Sequence, residues 1–419
     1  MWRMPFCFLH QMNPHISPVI YCTSPAEDLV EKEELNMALV LSDEQTMIKD
    51  TLRRFLDKEI HPMVDDYEKS GKAVSKDIVK KLVPFGFLGG LLPEEAGGNG
   101  LDYTTYFTMI EELSRVWPSL RATVGLSNSV LTHIYEYGTE EQRRKFLLPL
   151  MSGDKFGFFA LTEPNVGSDT SSIQTRAERR GDKWVINGSK MFITNGLEGE
   201  IGIVIAQTDK SKGNDGIAAF IVEKGISHYQ TKPIEKMGTV SCPFAELIFE
   251  DCEIPAENLL GKVGDGLRQG LKFLNSARAM VAFISTGIAQ ACIDSSVRYA
   301  KERVQFGKPI GGFQLIQAKI SEMVTLTNAM RLLGLQASHL LDQGKPCKLE
   351  CSMAKYFATE KVLKVAEEAL QIHGGYGYTK EFPVERYYRD IRYFTIAEGT
   401  NEIQKLIIGR EILGISAFS

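Results

Sequence analysis

The sequence has no run of 18 or more apolar residues, so no membrane-spanning helix is expected. It also lacks a strong charge of either sign. Its 48 lysines and arginines stand against 53 aspartates and glutamates, a net charge of −5. Without a global basic field, sequence-independent binding to nucleic acid or an anionic membrane is not expected. Cysteine is sparse: the seven residues Cys7, Cys22, Cys242, Cys252, Cys292, Cys347 and Cys351 form no CxxC or Cys/His cluster. That spacing predicts no metal site, and dispersed thiols suit a reducing compartment. Cys347 and Cys351 in "CKLEC" share a helix face, where bystander thiols are a commoner outcome than a metal site.

At 43% hydrophobic composition, the 419 residues can bury a large core and are expected to divide into two or three lobes. Residues 1–36 resemble neither a secretory signal nor an Arg-rich transit peptide. Met37 precedes "ALVLSDEQ", where helical periodicity begins, so the first 36 residues read as a mis-called start or a disordered extension. The cytoplasm of a prokaryote is the expected location, ahead of a mitochondrial matrix.

The pattern divides the rest in three. From Ser42, "SDEQTMIKDTLRRFLDKEI" opens on a Ser/Asp cap and sets Met47, Ile48, Leu52, Phe55 and Leu56 at helical spacings. Further amphipathic stretches extend this helical domain over 37–154. Over 155–262, short β-branched and aromatic runs bounded by turn residues predict a β domain, with a hairpin at Gly181-Asp182. Long helical patterns return over 263–419, with apolar faces that suit bundle packing and subunit contacts.

Five segments carry the chemistry: "FALTEPNVGSD" (159–169) with "NGSKMFITNG" (187–196), then "RVQFGKPIGGFQ" (303–314), then "QIHGGYGY" and "AEGTNEIQ". "LTEPNVGSD" offers backbone amides, hydroxyls and a glycine in an irregular segment; alone it would read as a structural loop. In identity, order and spacing the five resemble the acyl-CoA dehydrogenase family, from about Leu39 to Gly414. The resemblance implies an α+β fold: an N-terminal helical domain, a middle β-barrel-like domain and a C-terminal four-helix bundle. It also implies FAD, an acyl-CoA substrate, an electron-transfer flavoprotein as acceptor, and a homo-oligomer, usually a tetramer.

The same resemblance assigns residues. Phe159, Leu161 and Thr162 would line the flavin, and Ser168 would lie nearer the CoA phosphates, while Glu163 reads as structural. Phe192 stands where the family commonly has Trp, and Thr194 would place a hydroxyl near the flavin N5. Arg303, Phe306 and Gln314 would reach the FAD of a neighbouring subunit, with Gln371, Gly374 and Gly375 completing that site; Arg303 and Phe306 are expected on one side of a helix end. His373 reads as a packed histidine. Thr400 and Glu402 would meet the phosphate and ribose region of FAD, although relatives often carry an amide at the position of Glu402.

Removing an α-proton from an acyl thioester needs a carboxylate in an apolar, water-poor cleft, where its pKa rises. Glu398 falls on the family's base position, with Gly399 beside it at the thioester. Some relatives carry the base within the motif that here reads "LNSAR" (274–278); the matching residue is Ala277, and Arg278 becomes a CoA or ion-pair residue. Arg121 falls on the segment lining the acyl pocket and resembles the arginine with which glutaryl-CoA dehydrogenases hold a distal carboxylate. An Arg facing solvent or paired with an acid is the alternative. "SRVWP" departs from the decarboxylating pattern, which has a glutamate there. The expected reaction is dehydrogenation of a short, ω-carboxylated acyl-CoA; the same scaffold run backwards would be an enoyl-CoA reductase, and a non-catalytic flavin- or CoA-binding homologue is the remaining reading.

Overall fold

The computed structural model describes residues 40–417; the extension, its Met37 start, Cys7 and Cys22 lie outside them. Helix α1 (Asp43–Phe55) begins with a reciprocal cap. The Ser42 hydroxyl accepts from the Gln45 backbone N–H, and the Gln45 side chain accepts from that of Ser42. The helical path continues through a π-turn at Leu56–Ile60 into α2 (His61–Ser70). Leu52 and Leu56 are buried, but Met47 is 64% exposed. Ile48, Leu52 and Leu56 form one row of four-residue steps, and Met47 sits a full residue rotation off it.

Helices α3 (Lys76–Lys80), α4 (Tyr103–Val116), α5 (Pro118–Tyr137) and α6 (Glu140–Met151) complete the N-terminal helical domain. Proline starts α5, where its missing N–H costs no helical bond. Helix α4 is buried along nearly its whole length. Its acids Glu111 and Glu112 are neutralised from neighbouring helices: Arg53 grips both Glu112 oxygens at 3.0 Å, and Arg331 reaches Glu111 at 3.0 Å.

The middle domain is one eight-stranded sheet. Its strands are β1 (Gly157–Ala160), β2 (Arg176–Arg180), β3 (Lys183–Thr194), β4 (Ile201–Gln207), β5 (Ile217–Glu223), β6 (Gln230–Ile234), β7 (Phe244–Pro255) and β8 (Leu259–Leu260). The order is β6-β7-β3-β2-β4-β5-β8, with β1 parallel to β4. The expected hairpin joins β2 to β3, with Arg180 opposite Lys183 and Gly181 at φ +64°. Every residue of β4 and β5 is buried. Alternate side chains, among them Val204, Phe220 and Val222, enter the sheet's own core with Phe158, Leu247 and Phe249.

Helix α7 (Gly266–Glu302) spans 37 residues and packs beside α8 (Gln314–Asp342) and α9 (Lys348–His373). By length and composition α7 would suit a membrane span, yet 72% of its most apolar window is buried within this fold. Helices α10 (Val384–Arg392) and α11 (Asn401–Leu413) pack on α9 and complete the C-terminal helical domain. The two strands β9 (Val304–Gln305) and β10 (Lys308–Pro309) link α7 to α8. Arg303 and Phe306 therefore do not share a helix face as expected: Arg303 caps α7, and Phe306 sits in the hairpin turn at φ +51°. Pairing of Gln305 with Lys308 forces that turn.

Candidate functional site

Glu398 lies in the turn before α11 with φ +57°, and Gly399 follows at φ +83°. Two successive left-handed residues are costly, about 1–3 kcal/mol for the non-glycine one, and mark a backbone held by its surroundings. Gln404 of α11 donates to the Gly399 carbonyl at 2.9 Å, and the Thr400 hydroxyl caps α11 by accepting from the Ile403 N–H. The Glu398 side chain is drawn into the fold, and its residue keeps only partial exposure. Burial raises its pKa above the usual carboxylate value; the charges of Arg121, Lys355 and Arg278, in that order, oppose the rise.

Those three cations come from α5, α9 and α7. Arg121 is only 5% exposed, which removes the solvent-facing alternative. It makes no ion pair within 4 Å among the described residues, and its Nε and Nη1 have no hydrogen-bond partner there. Its guanidinium lies 5.4 Å from the Phe394 ring centroid. Arg278 is also buried with an unpartnered Nε, and burial lowers its pKa. It lines a cavity of about 370 Å³ with Tyr103, Leu271, Asn275, Lys345 and Cys347. Ala277 is a buried apolar residue on the same helix, so of the two positions at which the family carries its base only Glu398 holds a carboxylate.

The segment 159–169 is stitched to β3. The Met191 N–H donates to the Thr162 carbonyl at 2.9 Å, and the Lys190 ammonium donates to the Leu161 carbonyl at 2.9 Å. Glu163 receives Lys190 at 2.8 Å and the backbone N–H groups of Gln174 and Thr175. This brings Phe159, Leu161, Thr162 and Thr194, all half-buried, to one side of the domain with Phe192. Phe192 is 56% exposed at φ +60°, on a β-bulge between Lys190 and Ile193. The ring is thus held outward on strained backbone rather than packed into the sheet's core. Phe159 meets α7 at Gly270, where an added Cβ would lie 3.6 Å from the ring. Ser168 is exposed on the loop beyond.

Thr400 and Glu402 line a second cavity of about 350 Å³ with Glu360, Arg392, Thr395 and Asn401. The remaining expected residues lie elsewhere. Arg303, Phe306, Gln314, Gln371, Gly374 and Gly375 gather where α7 ends, α8 begins and α9 ends, and Arg303 sits 5.7 Å from the Tyr376 ring. Phe306 is 94% exposed. Arg278 and Arg303 are 25 residues apart along α7, roughly 37 Å at 1.5 Å per residue, so this group is remote from Glu398 within one chain. His373 packs on Tyr299 at 4.4 Å and bonds the Ala369 carbonyl, leaving it in the core.

Sequence reasoning missed Lys355 and Asn401. Lys355 is fully buried, and its ammonium donates to the Gly399 carbonyl at 2.8 Å and to Asn401 Oδ1 at 2.9 Å. A lysine in "SMAKYF" carries no mark that separates it from a solvated one.

Comparison with known proteins bears on this geometry. Three family models match consecutive parts of the chain: acyl-CoA dehydrogenase, N-terminal domain, over 42–154; middle domain, over 158–252; and C-terminal domain, over 264–413. The chain is 43% identical over 376 residues to an acyl-CoA dehydrogenase of Bacillus subtilis, covering 89% of this chain and 99% of that one. It is 40% identical over 380 residues to subunit CarC of the caffeyl-CoA reductase–Etf complex of Acetobacterium woodii, covering 90% and 100%. A solved glutaryl-coenzyme A dehydrogenase in complex with glutaryl-CoA superposes with a TM-score of 0.85 at 37% identity, covering 90% and 96%.

Proposed function

The chain belongs to the acyl-CoA dehydrogenase family, whose members are FAD-dependent oxidoreductases, and from that premise we propose that it dehydrogenates a short acyl-CoA between Cα and Cβ. The observation that carries this reading is Glu398: a half-buried residue on a strained turn, whose carboxyl pKa is raised by desolvation and so suits taking an α-proton near neutrality. Its own backbone N–H is the proposed donor to the thioester oxygen as negative charge develops there.

The residues present fit FAD. The outward Phe192 ring offers an apolar face to an aromatic system, and Thr162 and Thr194 offer hydroxyls beside it. Thr400 and Glu402 face the neighbouring cavity. FAD, when bound, supplies the acceptor for the β-hydride. Arg303, Phe306, Gln314, Gln371, Gly374 and Gly375 are proposed to contact FAD of a second subunit, which their distance from Glu398 supports. The proposed assembly is a homotetramer, with an electron-transfer flavoprotein as partner; the Etf complex of the Acetobacterium relative supports the latter.

For the substrate we propose an ω-carboxylated acyl chain such as glutaryl-CoA. Arg121 is a buried guanidinium without an ion pair among the described residues, and a distal carboxylate would neutralise it. Arg278 and Ser168 are proposed to meet the CoA portion, and Gly399 the thioester. The reductive direction also has a relative behind it, because CarC belongs to a reductase; Glu398 would then deliver the proton that it otherwise removes. Among the described residues the five cysteines are buried free thiols, which suit the reducing cytoplasm proposed as its location. Anaerobic mixing with an acyl-CoA panel, for the wild type and Glu398→Gln, tests the core of the reading. Wild-type flavin must be reduced by at least one acyl-CoA, and reduction at an unchanged rate in the variant would remove Glu398 from its role.

A further inference from the structure

Lys355 is a buried cation on which the Glu398 carboxylate is the foremost opposing charge. Its side chain is 0% exposed, and it makes no ion pair within 4 Å among the described residues. Its hydrogen-bond partners are the Gly399 carbonyl and Asn401 Oδ1, both in the segment that carries Glu398. Enclosing an ammonium is expensive unless its surroundings compensate it. Here it spans from α9 to Gly399 and Asn401, one and three residues beyond the base, while Thr359, one turn further along α9, donates to the same Asn401 oxygen at 3.0 Å.

We infer that Lys355 is a positioning residue for Glu398: by gripping the Gly399 carbonyl and Asn401 it holds the left-handed turn that aims the carboxylate, and its charge favours the ionised base. The inference rests on the reading of Glu398 as the base. Burial lowers the Lys355 pKa to about 8, with the Glu398 charge opposing that fall, so the ammonium is still largely charged at pH 7. The groups whose charge acts on Glu398 are Arg121 from α5, Arg278 from α7 and Lys355 from α9, and Glu398 in turn acts on the adjoining Tyr393. Among the three cations, only Lys355 also bonds the turn itself.

The positioning and the charge can be separated from a merely structural role. Lys355→Met keeps the length and removes the charge and donors. Each acceptor retains a second donor, Gln404 for the Gly399 carbonyl and Thr359 for Asn401, so the variant is expected to fold and bind FAD. The measurement is the pH profile of flavin reduction by acyl-CoA under anaerobic single turnover, in the FAD-loaded enzyme. We expect the acid limb to move up by about one pH unit, with a rate at neutral pH reduced about tenfold or more. Lys355→Arg, which keeps the charge, should return the limb most of the way. Lys355→Gln, which keeps one donor without the charge, should show the upward shift and serves if the Met variant does not fold. An acid limb at the wild-type pH in a folded, FAD-loaded Met or Gln variant would overturn the inference. Undiminished reduction in Glu398→Gln would instead remove the base assignment, whatever Lys355 does.

Discussion

The Lys190 ammonium and the Glu163 carboxylate lie 2.8 Å apart, with side-chain exposures of 0% and 4%. Burial takes the Lys190 pKa down to about 8, and the Glu163 carboxyl is held below its usual range by Lys190 against the opposing effect of burial. Because Glu163 also receives two backbone N–H groups and Lys190 also holds the Leu161 carbonyl, this pair ties the 161–175 loop to β3.

Removing one partner leaves the other charge buried and uncompensated. Lys190→Met is expected to cost roughly 3–5 kcal/mol of stability and to lower the FAD content of the purified protein. Denaturant unfolding and the flavin-to-protein absorbance ratio measure both. A wild-type midpoint with full flavin would show that the loop is held by something else.

The raised pKa of Glu398 has two consequences of opposite practical sign. The base works ionised, so flavin reduction should rise with pH through an apparent pKa above the ordinary 4.5 of a glutamate. A carboxyl whose folded pKa lies above its unfolded one contributes stability below the unfolded pKa and loses it as pH rises through the folded pKa. Glu398→Gln is therefore expected to slow flavin reduction by about 10²–10⁴-fold while gaining thermal stability relative to wild type on going from pH 5 to pH 8. Melting curves of both proteins at the two pH values, showing the same difference at each, would contradict the second half.

Arg121 sets the expected specificity. Its replacement by alanine should lower kcat/KM for glutaryl-CoA about 30-fold or more relative to butyryl-CoA, the equivalent of at least about 2 kcal/mol for a buried charge pair, while the loss of its charge near Glu398 slows both substrates alike. A wild-type preference for butyryl-CoA over glutaryl-CoA would defeat the carboxylate clamp.

Gly399 occupies φ +83°, and a Cβ there would stand 2.8 Å from Gln404 Nε2. Gly399→Ala should cost about 1–3 kcal/mol and displace the turn, slowing flavin reduction by about tenfold or more even where the protein remains folded. Unchanged single-turnover rates would mean that the turn tolerates a side chain.

Much of the architecture was legible because it rests on local pattern. The Ser42 cap, the Gly181-Asp182 hairpin and the long apolar faces of α7 and α9 follow from chemistry within a few residues. The reading erred where neighbours decide: Met47 carries the right residue type but lies off the packed row, and Arg303 with Phe306 left the helix because a two-residue strand pairing turned the chain. The motif strings named the residues around Glu398, but nothing in them distinguishes Lys355 or the unpaired burial of Arg121, since a lysine or arginine on a helix normally reaches water.

The sequence by itself determined the three-part order of helices, strands and helices, and placed Glu398 and the 159–169 loop in recognisable strings. Only the tertiary structure decided that α5, α7 and α9 would each direct a cation at one carboxylate, and that Phe192 would stand exposed on its bulge. The physical reason is range: caps, turns and periodicity act over a few residues, whereas burial and the field at a carboxylate are set by side chains from tens of residues to more than two hundred away in the chain.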